Sequence, residues 1–197
     1  MKRLALITLI LAAVSCSEGS NKGWTFAEKA LIAEPDQIMR VLTIENRKDS
    51  LILRTPSTDL APEAVGSPEY KVLEQKLIAT VTSPEQDGVG IAGPQVGLLR
   101  RVVAVQRFDK EGEPFEVYPN IRVTRTRGEM VAGGEGCLSV PNRRGQVLRY
   151  QDIDISYTSP FTLKDTSETV KGFTAVIFQH ETDHLDGVLY IDKLAEE

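Results

Sequence analysis

The chain is predicted to fold as an α+β domain in which short antiparallel sheets pack around one central helix. Three observations carry that expectation. Residues 147–157 alternate in character as a half-buried strand does, notably at Ile153, Ile155 and Tyr157. Two strand-like runs, 101–108 and 115–124, flank Asp109-Lys110-Glu111-Gly112 as the arms of a hairpin flank its turn. Residues 172–187 are instead apolar along one helical face. They follow the strands as a group rather than alternating with them, which speaks against βαβ units.

The remaining elements follow in chain order. Met1-Lys2-Arg3 precedes an apolar run from Leu4 to Val14, the anatomy of a secretory signal and too short for a spanning helix. Small residues then lead into Cys16, and the whole resembles a bacterial lipoprotein signal, with Ala13 standing where such signals usually carry Leu. Residues 1–16 are therefore expected to be a signal peptide cleaved before a lipidated Cys16. That would make the protein an exported, membrane-anchored lipoprotein of the cell envelope, the alternative being a cytoplasmic protein. Residues 17–45 are expected to form a polar tether and an N-terminal extension outside the main domain. Within that stretch, 25–44 is helix-prone but interrupted by Pro35. Residues 46–197 would be the catalytic domain. Inside it, 68–81 has a helical period in Tyr70, Val72, Leu73, Leu77, Ile78 and Val81, with Pro68 suited to the first turn. Residues 88–95 read as a glycine-dense loop.

Composition bounds the function. The 197 residues are 41% hydrophobic and 26% charged, which suits one globular domain after signal removal. The net charge of −5 and the lack of a dense basic stretch exclude a nucleic-acid partner, since Arg122, Arg125 and Arg127 read as one solvated strand face. With Cys16 committed to the signal, Cys137 has no disulfide partner.

The two histidines of the chain stand four apart in Gln179-His180-Glu181-Thr182-Asp183-His184. On a helix, positions i and i+4 lie about 40° apart in azimuth, so both imidazoles face one metal while Glu181 sits beside them. The third ligand is open at this level. No third histidine exists, leaving a carboxylate, such as Asp192 in a zincin-like peptidase, or a cysteine. Cys137 lies among glycines in Gly133-Gly134-Glu135-Gly136-Cys137-Leu138-Ser139, where the backbone can approach a ligand closely. A Cys-His-His set would leave a fourth position for water, as catalytic sites do.

Gly88-x-Gly90-x-Ala92-x-x-Gln95, Glu135-Gly136-Cys137-Leu138-Ser139 and Gln179-His180-Glu181-x-Asp183-His184-Leu185-x-Gly187 together resemble the three motifs of peptide deformylases, in the family's order. Residues 49–54 resemble the family's start, so the similarity covers roughly 46–194. The resemblance implies hydrolysis of the N-formyl group from N-formylmethionyl peptides. Cys137, His180 and His184 would hold Fe²⁺, with Zn²⁺ or Ni²⁺ able to substitute. Glu181 would be the acid/base, and Gln95 and the Leu138 N–H the oxyanion donors. Gly90 and Glu135 match positions that bind the peptide main chain, and Val89, Phe173, Val176 and Ile177 match those lining the methionine pocket. Asp183 would orient a ligand or pair with Arg149. Gly93-Pro94 and Tyr118-Pro119-Asn120 depart from the family's usual residues without touching a ligand. A non-catalytic module that binds formyl peptides is the remaining alternative.

Overall fold

A computed structural model describes residues 23–195. The expected signal peptide, its Cys16 and the start of the tether lie outside the described residues.

Two three-stranded antiparallel sheets and a long C-terminal helix build the domain. The first sheet is β1 (Gly90–Ala92), β2 (Val102–Gln106) and β3 (Phe115–Pro119), paired in that order. The second is β4 (Arg122–Cys137), β5 (Val140–Thr158) and β6 (Asp165–Lys171). Four helices precede or flank the sheets: α1 (Phe26–Ile32), α2 (Arg47–Leu53), the single turn α3 (Pro62–Val65) and α4 (Pro68–Val81). The last, α5 (Gly172–Leu185), leaves β6 without a linker. Gly172 makes that reversal at φ 63°, a conformation that carries no steric cost only for glycine.

Alternation on β2 explains where the core sits. Val102 and Ala104 face α4, in a cluster with Tyr70, Leu73, Leu77, Val81 and Ile91. Val103 and Val105 face α5, in a cluster with Ile153, Ile155, Val170, Ala175, Phe178 and Leu185. The first sheet is thus covered by α4 on one side and α5 on the other. Each buried Val, Leu or Phe stabilises the fold by roughly 1.5–3 kcal/mol against exposure. α5, packed against β5, β1 and β2, therefore has little freedom to shift.

Three expectations need correction. The strand expected over 115–124 is two strands, because Asn120 takes φ 58° and turns the chain from the first sheet into the second. Its amide makes the turn durable, donating to the carbonyl of Leu60 (2.9 Å) and to Thr158 Oγ1 (2.9 Å) while accepting from Leu60 N (2.7 Å). Residues 88–95 are not simply a loop, since Gly90–Ala92 pair with Val103–Val105 as an edge strand. Finally, residues 24–44 do not stand outside the domain. Ile32, Met39 and Leu42 are buried, the first two within the α4 cluster, and the Leu42 and Ile44 amides donate to the carbonyls of Gln95 (2.7 Å) and Ser139 (2.9 Å).

Candidate active site

α5 delivers three of the functional side chains from one face. It is buried at Phe178, Glu181, Thr182, His184 and Leu185, so its last two turns are surrounded by protein. Opposite it, β4 and β5 are joined by the two residues Leu138-Ser139, and the pairing of Cys137 with Val140 closes the hairpin. Cys137 therefore stands at the end of a strand rather than in a free glycine loop. One ligand atom from each of Cys137, His180 and His184 lies within 4.8 Å of the others, and Cys137 Sγ is 3.2 Å from His184 Nε2.

The two imidazoles are oriented differently. His180 Nδ1 is 2.8 Å from Glu135 Oε2, which leaves Nε2 for the centre. Glu135 also takes both arms of Arg149, at 2.7 and 3.0 Å, and Arg149 reaches Asp183 at 2.6 Å. Lys193 closes the row on Asp183 at 2.6 Å. Burial alone would raise the Glu135 carboxyl, but His180 and Arg149 hold it down at about 2. It is an anion throughout the neutral range, fit to accept the His180 N–H. His184 is driven well below the usual imidazole range by burial and by the neighbouring His180. A neutral imidazole with Nε2 toward a thiol is a ligand in the required state.

Glu181 is buried on the same face, and its Oε2 has no hydrogen-bond partner among the described residues. Burial pushes its carboxyl up to about 7, with His180 opposing. A buried carboxylate oxygen left open costs free energy unless a further group fills the site. Two imidazoles, one thiol and an adjacent open carboxylate fit a divalent ion together with a polar reactant.

Gln95 sits in a short 3₁₀ turn after β1 (93–96), and its side chain cannot rotate freely. Oε1 accepts from Ala92 N at 2.8 Å, which points Nε2 toward Ser139 Oγ at 3.2 Å and Cys137 Sγ at 3.7 Å. The amide thus presents its donor end to the centre.

These groups line a cavity of about 610 Å³, with Val89, Gly90, Leu138, Phe173, Val176 and Ile177 in its wall. Ile177 is buried, whereas Phe173 is 56% exposed at the rim, its ring 5.3 Å from that of Phe108. Every site residue expected from 89 to 184 is brought to this region. Asp192 is not: its carboxylate is held by Arg54 and by Leu189 N (2.9 Å), and it does not join the Cys-His-His cluster. Sequence reasoning missed Glu135 as the partner of His180, and it missed Asn142, Arg143 and Arg144 on the cavity wall. Only the position of the arginines, directly after the cysteine motif in sequence, hinted at the latter.

The family model for polypeptide deformylase matches residues 38–197. A peptide deformylase of Leptospira biflexa is 32% identical over 164 residues, covering 80% of this chain and 88% of that protein. Peptide deformylase 2 of a Nostoc species is 44% identical over 124 residues, covering 60% and 68%. Among solved structures, peptide deformylase from Thermotoga maritima superposes with a TM-score of 0.69 at 27% identity, over 81% of this chain and 99% of that one. The Acinetobacter baumannii enzyme with Met-Ala-Ser bound gives 0.70 at 31% identity, over 80% and 98%. Motif order, fold and the clustered Cys-His-His donors agree with these matches, and the chain belongs to the peptide deformylase family.

Proposed function

We propose that the protein hydrolyses the formyl amide of N-formylmethionyl peptides, releasing formate, at the centre formed by Cys137, His180 and His184. The observation that carries this is the convergence of those three ligand atoms beside a buried, unpartnered Glu181. One thiolate and two imidazoles suit Fe²⁺, with Zn²⁺ or Ni²⁺ as substitutes. The ion supplies Lewis acidity, polarising a carbonyl and acidifying water.

The chain's own residues supply the rest. Glu181 takes the proton of the attacking water on its carboxylate and returns it to the departing peptide amine. Gln95 Nε2 and the Leu138 N–H donate to the developing oxyanion; a donor of this kind is worth about 10²–10³ in rate. Gly90 and Glu135 lie where the peptide main chain would run. Val89, Phe173, Val176 and Ile177 provide the apolar wall for a methionine side chain. Bound Met-Ala-Ser in the Acinetobacter relative supports a peptide ligand of this class. Formate release from formyl-Met-Ala-Ser by anaerobically prepared, Fe²⁺-loaded protein is the test. Glu181→Ala should lower turnover about 10²–10⁴-fold. Turnover absent from both proteins would favour the non-catalytic binding module instead, and turnover unchanged by the substitution would remove Glu181 from the acid/base role.

The location proposed is the cell envelope, with the anchor on Cys16. The sequence of residues 1–16 supports this. The substrates would then be released formyl peptides rather than nascent chains. Labelled palmitate recovered on the protein in the membrane fraction is expected; a cytosolic protein with Met1 intact would overturn it.

A further inference from the structure

Two of the six phenylalanines are almost wholly exposed: Phe26 at 89% and Phe161 at 95%. A solitary exposed aromatic needs no explanation, but these two hang from one junction of the fold. Phe26 opens α1 two residues after Trp24, whose indole N–H donates to Ser67 Oγ (2.9 Å) and the Ala64 carbonyl (3.2 Å). Phe161 tips the β5–β6 loop two residues before Leu163, whose side chain lies against Gly66. Both aromatics are thus tied to residues 64–67, the end of α3 and the turn into α4.

The chain enters the described fold at this same place. Gly23 precedes Trp24, and its carbonyl accepts from Arg100 Nη2 at 2.6 Å. Arg100 is itself buried and held by Glu28 at 2.6 Å, so the entry point is fixed to α1 and to the body of the domain. Only six residues lie between Cys16 and Gly23, so the two are at most about 25 Å apart. Lipid on Cys16 would therefore keep this corner of the molecule within about 25 Å of the bilayer surface. Charges beside it are matched, with Lys29 on Glu69 at 2.8 Å and Arg100 on Glu28. Lys164, exposed next to Leu163, suits a headgroup phosphate. Apolar insertion rather than bulk attraction is the force available here.

We infer that Phe26 and Phe161, with Leu163 and Lys164, form a membrane-contacting face that seats the domain on a phospholipid bilayer beside its anchor. This rests on the proposed lipidation of Cys16 and deepens it: a lipid gives attachment, whereas the face gives orientation.

Trp24 is the only tryptophan in the chain and sits within this face, so its fluorescence reports the seat directly. The full chain, processed and lipidated in its host, would be mixed with phosphatidylcholine vesicles carrying brominated acyl chains. Trp24 emission should be quenched relative to vesicles without bromine. Phe26→Ser/Phe161→Ser should lose most of that quenching while co-floating with the vesicles as before. Both side chains are exposed, so the double variant should unfold at an unchanged denaturant midpoint. Co-flotation with unquenched Trp24, or quenching indifferent to the double substitution, would overturn the face and leave the anchor standing. Mass spectrometry finding Cys16 without lipid would instead overturn the anchor, and the face with it.

Discussion

Glu135 and His180, 45 residues apart in sequence, meet at 2.8 Å between Oε2 and Nδ1, and this contact decides which nitrogen of His180 faces the proposed metal centre. Arg149 fastens the same carboxylate at 2.7 and 3.0 Å. Removing the acceptor frees the ring to rotate or change tautomer. Glu135→Ala should therefore weaken metal binding about 10- to 100-fold, the usual scale for a group that orients a ligand. Competition with a chelator of known affinity measures it. Wild-type metal affinity in the variant would show that packing alone sets the ring.

Gly90 and Glu181 form a tight constraint on the proposed acid/base. A methyl group placed on Gly90 would lie 2.4 Å from Glu181 Oε1 and 2.9 Å from Ile177 Cγ2. Gly90 is buried in β1, and α5 is packed on β1 and β2, so neither backbone can retreat cheaply. Gly90→Ala should displace the carboxylate. The expected result is a loss of kcat of about tenfold or more, the sensitivity that misplacement of a catalytic group produces. Metal content should stay at the wild-type level, because no ligand touches that methyl. Full activity in the variant would mean that Glu181 has room the structure does not show.

These two contacts mark the boundary of what was legible. The helix read over 68–81 is α4 to the residue, because Ser67 accepts from Tyr70 N (3.3 Å) and Pro68 occupies the first turn, both local signals. The helix read over 172–187 ends at Leu185, with Gly187 at φ 74° just beyond. The turn between Phe108 and Phe115 likewise joins β2 to β3. Local chemistry fixes such elements. What remained hidden is non-local. Asn120 changes sheets because of partners at Leu60 and Thr158, which no window around Asn120 contains. Residues 42–44 lack strong periodicity, yet they strap Gln95 and Ser139 together by backbone bonds, a role invisible to any side-chain pattern. For the site, the metal-ligating types announced themselves through scarcity and spacing. The service of Glu135 to His180 needed the fold.

Arg107 offers a test of stability far from the reaction. Its buried guanidinium binds Asp109 twice at 2.8 Å and Glu168 at 2.9 and 3.2 Å, contacts the Tyr118 hydroxyl, and lies 5.7 Å from the centre of the Phe178 ring. The hydrogen bond from Arg107 holds the Asp109 carboxyl below its usual range. A carboxyl depressed in the folded state adds stability above its unfolded pKa, about 3.9, and that addition disappears as pH falls through the folded value. Arg107→Met should cost about 2–3 kcal/mol at pH 7, less than the roughly 3–5 kcal/mol of a fully buried broken pair, because the carboxylates keep 25–26% exposure. At a pH below the usual carboxylate range the gap between wild type and variant should narrow as Asp109 protonates. Urea unfolding at the two pH values decides it; a gap of equal size at both would mean that lost packing, not charge, is responsible.

The last prediction separates the ligand sets. Cys137 Sγ stands 3.2 Å from His184 Nε2, whereas the Asp192 carboxylate is spent on Arg54 and the Leu189 amide. Cys137→Ala removes the only thiol among the described residues and leaves two imidazoles, too few donors to retain a divalent ion through dialysis. Asp192→Asn keeps the shape of the side chain and disturbs only the ion pair with Arg54, a contact exposed to solvent on both sides. The first variant should elute with less than about a tenth of the wild-type metal, and the second with the full amount. Metal analysis of the two purified proteins, side by side, is sufficient. The opposite pattern, with metal kept by Cys137→Ala and lost by Asp192→Asn, would hand the third position to the carboxylate and return the site to the chemistry of a peptidase.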